Sequence, residues 1–438
     1  MGLRFYIGAS GSGKSYQLYN HIIQEAMANP HMNYLIVVPD QFTMQTQLEM
    51  VRRHPNKGIM NIDVLSFGRL SHRIFEEVGG NDRPVLDDTG KSLVLRRVAA
   101  GLEEELGVMK RNIRKPGYIS EVKSALSEFM QYGLGTKEVE KLCEYAAKRN
   151  ALAFKLKDLH LLYDGFIKYI NERYITREET LDLLRKVLPR SKVVKGSVIV
   201  FDGFTGFTPV QYNVIQELML QAREVIVTVT MGVEENAYLQ DGEQKLFHLS
   251  KKTIHDLDRL CKEAGVTREQ DERITDAVVY RYRDNAGLSH LERALFRYPV
   301  QEYKGTQDSI HLFEASAPKE ELRQVCLEIR RLVREQKYCY RDIAVVTGDL
   351  ERYGFLAREM FGRFDIPYYL DQTNKLVLNP LIEFIRSALL VVIQEYSYEA
   401  VFHFLRCGMA GVTPDETDRL ENYCLTMGIR GKKAWQKK

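Results

Sequence analysis

The sequence predicts an α/β protein: a parallel-sheet domain interrupted by a large helical insertion, followed by the start of a second domain of the same kind. Three observations carry this reading. A short apolar segment from Leu3 runs into Gly8-Ala9-Ser10-Gly11-Ser12-Gly13-Lys14-Ser15, which has the spacing Gly-x-x-x-x-Gly-Lys-Ser. Apolar strands and helical patterns then alternate, which calls for a parallel sheet whose ligands gather at the carboxyl ends of its strands. The same alternation resumes near residue 309.

Each residue type in the loop has a physical task. Glycines let successive backbone N–H groups turn toward phosphate oxygens without a Cβ in the way. Lys14 adds a point charge for the outer phosphates, Ser15 offers a hydroxyl to Mg²⁺, and a helix expected over residues 14–28 points its positive end at the anion. Residues 8–15 are therefore expected to bind a nucleotide, ATP with Mg²⁺.

Further strands are expected at residues 34–38, ending in Pro39-Asp40-Gln41-Phe42-Thr43, and at 61–65, ending in Ser66-Phe67-Gly68. Helices follow both. From about residue 84 to 188 the pattern turns helical, with Ile119, Val122, Leu126, Phe129 and Met130 on one face and Leu156, Leu159, Tyr163, Phe166 and Ile170 on another. Lys110, Arg111, Arg114 and Lys115 form a basic cluster inside it, a candidate contact for a nucleic-acid backbone that is equally readable as a solvated loop. The sheet resumes at residues 197–201, where Asp202 ends an apolar strand and is the second expected Mg²⁺ residue, and at 224–230. A second unit is expected from strands at 310–315, 343–347 and 366–370 with helices at 318–335 and 351–361, and the chain is helical after Asn379. The expected divisions are 1–83 and 196–308 for the first sheet domain, 84–195 for the insertion, 309–390 for the start of the second, and 391–438 for a second, truncated insertion.

Composition narrows the class. Lys+Arg 62 against Asp+Glu 59 leaves a net charge of +3 in 438 residues, so a nucleic-acid surface has to be local. The six cysteines include no Cys-x-x-Cys pair, against a zinc site or a secreted disulfide framework. His248 and His255 have no third ligand nearby in the sequence. Neither a leader peptide nor a membrane span is expected, and a cytoplasmic location fits.

In order and context, residues 8–15, Val38-Pro39-Asp40-Gln41-Phe42, Val64-Leu65-Ser66-Phe67-Gly68-Arg69-Leu70, Val198 to Phe204, Tyr340 to Val346, residues 362–369 and Asn379-Pro380-Leu381 resemble the amino-terminal part of the AddB family. Those proteins belong to bacterial AddAB helicase-nucleases, and their helicase-like half is similar to UvrD-like motors. The resemblance implies RecA-like domains, a DNA partner, an AddA-type protein partner and a role in double-strand-break repair. It also implies a nuclease domain with an iron-sulfur cluster in a carboxyl-terminal part that has no counterpart here. The chain is thus expected to be a fragment or the product of an incomplete gene model. Gln41, Phe42, Ser66, Phe67, Lys110 and Arg111 become candidate DNA contacts, by stacking, hydrogen bonding or charge, with helix capping and core packing an equally open reading of the first four. Two departures from active motors stand out. Gly203 replaces the glutamate that activates water, and Gly348 stands near the place of an arginine that reaches the γ-phosphate. A binding role is favoured over a DNA-stimulated ATPase, and both over a small-molecule kinase.

Overall fold

The computed structural model describes residues 1–438 except 81–82, 147–149, 172, 277–278, 373–375, 377–378 and 437–438. It divides into two compact units, Met1–His311 and Leu312–Lys438.

The first unit opens with β1 (Gly2–Gly8), α1 (Lys14–Ala28), β2 (Tyr34–Val37), α2 (Thr43–Arg53), β3 (Ile62–Leu65) and α3 (Phe67–Val78). The chain then leaves the sheet through β4 (Val85–Leu86) into α4 (Asp88–Gly101), α5 (Pro116–Gln131), α6 (Thr136–Tyr145) and α7 (Asn150–Ile170). It returns through β5 (Ile175–Thr176), which pairs in parallel with β4 and so ties the two ends of the insertion together. Ile119, Val122, Leu126, Tyr163, Phe166 and Ile170 pack in one buried cluster, as the helical periodicity requires. Lys91 on α4 closes it with a buried ion pair to Glu178, 2.9 Å away. Glu178 lies at the start of α8 (Arg177–Val187).

The sequence pattern places α8 in the insertion. Its Leu184 and Val187 instead lie in the core under the sheet, with α3 and α9. The periodicity of one helix shows that a face is buried, not against which partner.

The remaining elements are β6 (Val198–Phe201), α9 (Pro209–Gln221), β7 (Glu224–Thr230), α10 (His248–Glu263), β8 (Thr267–Arg268), β9 (Glu272–Arg273) and α11 (Ala286–Ala294). The sheet is seven-stranded, in the order β3-β2-β6-β7-β1-β8, with β9 also pairing β1. Its pairings are parallel. Alternation sorts the side chains: Leu3, Phe5, Ile7, Ile199 and Phe201 enter the core beneath α3, α8, α9 and α10, while Tyr6, Val198 and Val200 enter a second core beneath α1 and α2. Burial on both faces is why these strands read as continuous apolar runs.

The second unit contains α12 (Pro318–Glu335), α13 (Leu350–Arg363), α14 (Pro380–Ile393), α15 (Tyr398–Arg406), α16 (Pro414–Met427) and α17 (Lys432–Trp435). Leu322, Cys326, Ile329, Met360 and Phe361 join α12 to α13. The three strands expected here, at 310–315, 343–347 and 366–370, are not strands: these segments lie outside regular structure. A strand exists only through a partner's hydrogen bonds. No pairing forms there among the described residues, and Leu312 and Val346 stand 100% and 92% exposed.

Candidate nucleotide site at the carboxyl edge of the sheet

The loop between β1 and α1 closes into a cradle. Gly13 caps α1 with φ 95° and Gly11 has φ 79°, backbone states that glycine adopts without strain. No side chain caps α1 and its first turn carries no acid, so its amino-terminal N–H groups keep their positive field for an anion. Ser12 adds a second sign of a ligand. Its hydroxyl is buried with no hydrogen-bond partner, although buried hydroxyls ordinarily have one.

Lys14 folds back over the loop and donates from Nζ to the carbonyls of Gly8 (3.0 Å) and Ala9 (2.9 Å). Its ammonium is pushed down to about 8, first by burial; Asp202 and Glu292 oppose the shift and Arg281 adds to it. Arg281 is a site residue that the sequence alone does not reveal. Its backbone N–H donates to the Gly11 carbonyl at 3.1 Å, and a Cβ on Gly11 would lie 2.9 Å from the Cβ of Arg281. Around them Tyr16 and Tyr280 stack with ring centroids 6.5 Å apart. Arg53 lies 4.1 Å over the Tyr16 ring and Arg283 4.6 Å over the Tyr280 ring. The run Tyr280-Arg281-Tyr282-Arg283 is the available signal, but only the fold brings it to the loop.

At the end of β6, Asp202 is buried and accepts three hydroxyl donors. Ser15 (3.1 Å) and Thr228 (2.6 Å) donate to Oδ1, and Tyr19 donates to Oδ2 at 2.5 Å. Ser15 and Asp202, the two residues expected from the sequence to serve Mg²⁺, are thus brought together. Ser15 fits such a role, since its lone pairs stay free while its proton points to Asp202. The carboxylate fits a metal shell poorly: three of its roughly four lone-pair sites are already occupied by protein hydroxyls. Gly203 follows with φ 79°, its N–H donating to Thr228 Oγ1 at 3.4 Å. A glutamate in that backbone state would be strained, and Gly203 itself carries no group that could serve as a general base.

The candidate DNA residues separate. Gln41 and Phe42 lie in an exposed turn after β2, Phe42 being 43% exposed. Ser66 and Phe67 do not face outward, which favours helix capping and core packing over DNA contact for these two. Ser66 caps α3 by accepting from the Arg69 N–H, and Phe67 is buried against Phe201, Phe204 and Phe207. A short apolar strand followed by Ser-Phe serves capping and packing as readily as stacking. Lys110 is paired with Glu104 at 2.7 Å and Arg114 with Glu103 at 2.6 Å, while Arg111 is exposed. Among the described residues no helix is long and apolar enough to cross a membrane, and no group of three His, Cys, Asp or Glu side chains could hold a metal ion.

Residues 5–292 match the family described as ADDB, N-terminal. The chain belongs to this AddB family. It is 42% identical over 100% of its length to the AddB protein of an ATP-dependent helicase/deoxyribonuclease from Lachnoclostridium phytofermentans, covering 38% of that protein. AddB proteins of the same name from Clostridium perfringens (33% identity, 99% of this chain, 38% of the relative) and Alkaliphilus oremlandii (31%, 99% and 37%) are also similar. The chain therefore spans less than two-fifths of the length of these AddB relatives.

Proposed function

We propose that this chain is the nucleotide- and DNA-binding, helicase-like part of an AddB-type protein, acting in the cytoplasm with an AddA-type partner on broken DNA for recombinational repair. The observation that carries the reading is the cradle at residues 8–15. An uncapped helix start, a buried Ser12 hydroxyl without a partner and Lys14 converge where a parallel sheet presents its carboxyl edge. The chemistry suits ATP. Backbone N–H groups and Lys14 take the phosphates, Arg281 adds a second cation, and Tyr16 and Tyr280 offer ring faces at the rim. The AddB relatives, named for an ATP-dependent helicase/deoxyribonuclease, supply the wider context.

Turnover by the chain itself is the second reading, and the positive φ of Gly203 weighs against it. Binding without efficient hydrolysis is what the residues support. Titration with a fluorescent ATP analogue and steady-state phosphate release with single-stranded DNA test the two together. Saturable binding with turnover far below motor rates is expected. Robust DNA-stimulated hydrolysis abolished by Lys14→Ala would make the chain a motor instead.

A further inference from the structure

We propose that this site holds a nucleoside triphosphate with the chain's own cations, Lys14 and Arg281, and that Tyr19 keeps Asp202 out of a divalent ion's shell, so that affinity depends little on Mg²⁺. The inference rests on the nucleotide reading above and deepens it.

Mg²⁺ demands near-octahedral oxygen ligation, gives up water reluctantly, and is usually bound through one or two carboxylates together with substrate phosphates. Among the described residues, Asp202 is the carboxylate hydrogen-bonded to the end of this loop, through Ser15. Its Oδ1 is shared by Ser15 and Thr228 and its Oδ2 is taken by Tyr19. Tyr19 is not a casual partner. It projects from α1 one turn beyond Ser15, is 3% exposed, and its phenol is also hydrogen-bonded by the Thr46 hydroxyl from α2. Turning Asp202 toward a hydrated metal would strand this phenol without its acceptor in a closed core. Thr228 resists from the other side, since its oxygen accepts from the Gly203 N–H while its proton goes to Asp202.

The positive charge that a metal would bring is present in the chain. Arg281 lies against Gly11, in the same loop over which Lys14 folds back. Asp202 and Glu292 offset part of the repulsion between these two cations, and a triphosphate entering the loop would offset the rest. A metal-free nucleotide keeps its full negative charge for them.

The test is the dissociation constant of a fluorescent ATP analogue, measured with excess EDTA and with Mg²⁺, for the wild-type chain and for Tyr19→Phe. In the wild type the two values are expected within about threefold of each other; in Tyr19→Phe, with Oδ2 freed, Mg²⁺ is expected to tighten binding by about tenfold or more. A wild-type Mg²⁺ dependence beyond that threefold window overturns the proposal, and this measurement decides it even if Tyr19→Phe fails to fold. A folded Tyr19→Phe with wild-type behaviour removes Tyr19 from the explanation. Absence of binding under both conditions overturns the nucleotide reading itself, and so the two failures are distinguishable.

Discussion

Replacing Lys14 by methionine keeps the unbranched apolar stem of the side chain and removes its charged end, and the structure sets two magnitudes for the result. In the nucleotide-free loop Nζ donates to the Gly8 and Ala9 carbonyls, so binding exchanges two neutral acceptors for a charged phosphate. A charge-assisted bond of this type is worth about 1.5 to 3 kcal/mol, or roughly 10- to 150-fold in affinity. The second magnitude comes from pH. With the free lysine titrating at about 8, the charged fraction drops from roughly three-quarters at pH 7.5 to roughly one-tenth at pH 9. The sign follows from linkage: bound phosphate favours the charged form, so the complex binds more protons than the free protein and affinity falls as pH rises. Wild-type affinity should therefore weaken about eightfold between pH 7.5 and 9, and Lys14→Met should show a weaker but nearly flat profile. Calorimetric or fluorescence titration across this range is the assay. A slope that survives in Lys14→Met would refute the assignment of the titration to Lys14, and equal affinities at pH 7.5 would remove the lysine from the site.

Arg281→Ala should weaken the nucleotide by about 1.5 to 3 kcal/mol for one lost charge contact, and should move the midpoint of the pH profile slightly upward, since burial, the main cause of the Lys14 depression, remains while the smaller contribution of Arg281 is gone. Gly203→Glu should not confer rapid ATP hydrolysis, because the residue sits at φ 79°; steady-state phosphate release near motor rates in that variant would show that the backbone can relax. Lys91→Met should destabilise the chain by about 3 to 5 kcal/mol in denaturant titration by leaving Glu178 buried and unpaired, and Glu178→Leu in the same chain should recover much of that loss. Single-stranded DNA affinity should fall with salt with a slope of about −2 to −3, equivalent to roughly three or four phosphates. Lys110→Ala should barely change it, since Lys110 is already paired with Glu104.

How much of this is legible in the sequence depends on the range of the interaction that fixes each feature. The glycine-rich loop, α1, the strands β1, β2, β3, β6 and β7 and the helical faces of the insertion are set by local rules: glycine conformations, helix starts, and runs of apolar residues with a period the backbone imposes; the short β8 and β9 are not legible this way. Helices carry their hydrogen bonds within themselves, which is why α1 and α12 end where the sequence places them. Strands do not, and the segments at 310–315, 343–347 and 366–370 mislead because an apolar run says nothing about whether a neighbour exists to pair with it. The same limit applies to the site. Asp202 can be singled out from its place after an apolar strand, and Ser15 from its place in the loop. That the two meet is a property of the sheet order, in which β7 lies between β6 and β1. Arg281 reaches Gly11 across nearly the whole length of the first unit, and Tyr19 and Thr228 converge on one carboxylate from a helix and a strand far apart in sequence. Phe67 turns inward for a related reason, since whether an aromatic ring at a strand end faces solvent or the core is decided by the partners awaiting it, here Phe201, Phe204 and Phe207. The sequence by itself determined a loop suited to phosphate at residues 8–15, because that chemistry is written in one contiguous segment; what surrounds the loop was decided by tertiary packing, because burial and charge are summed over neighbours in space.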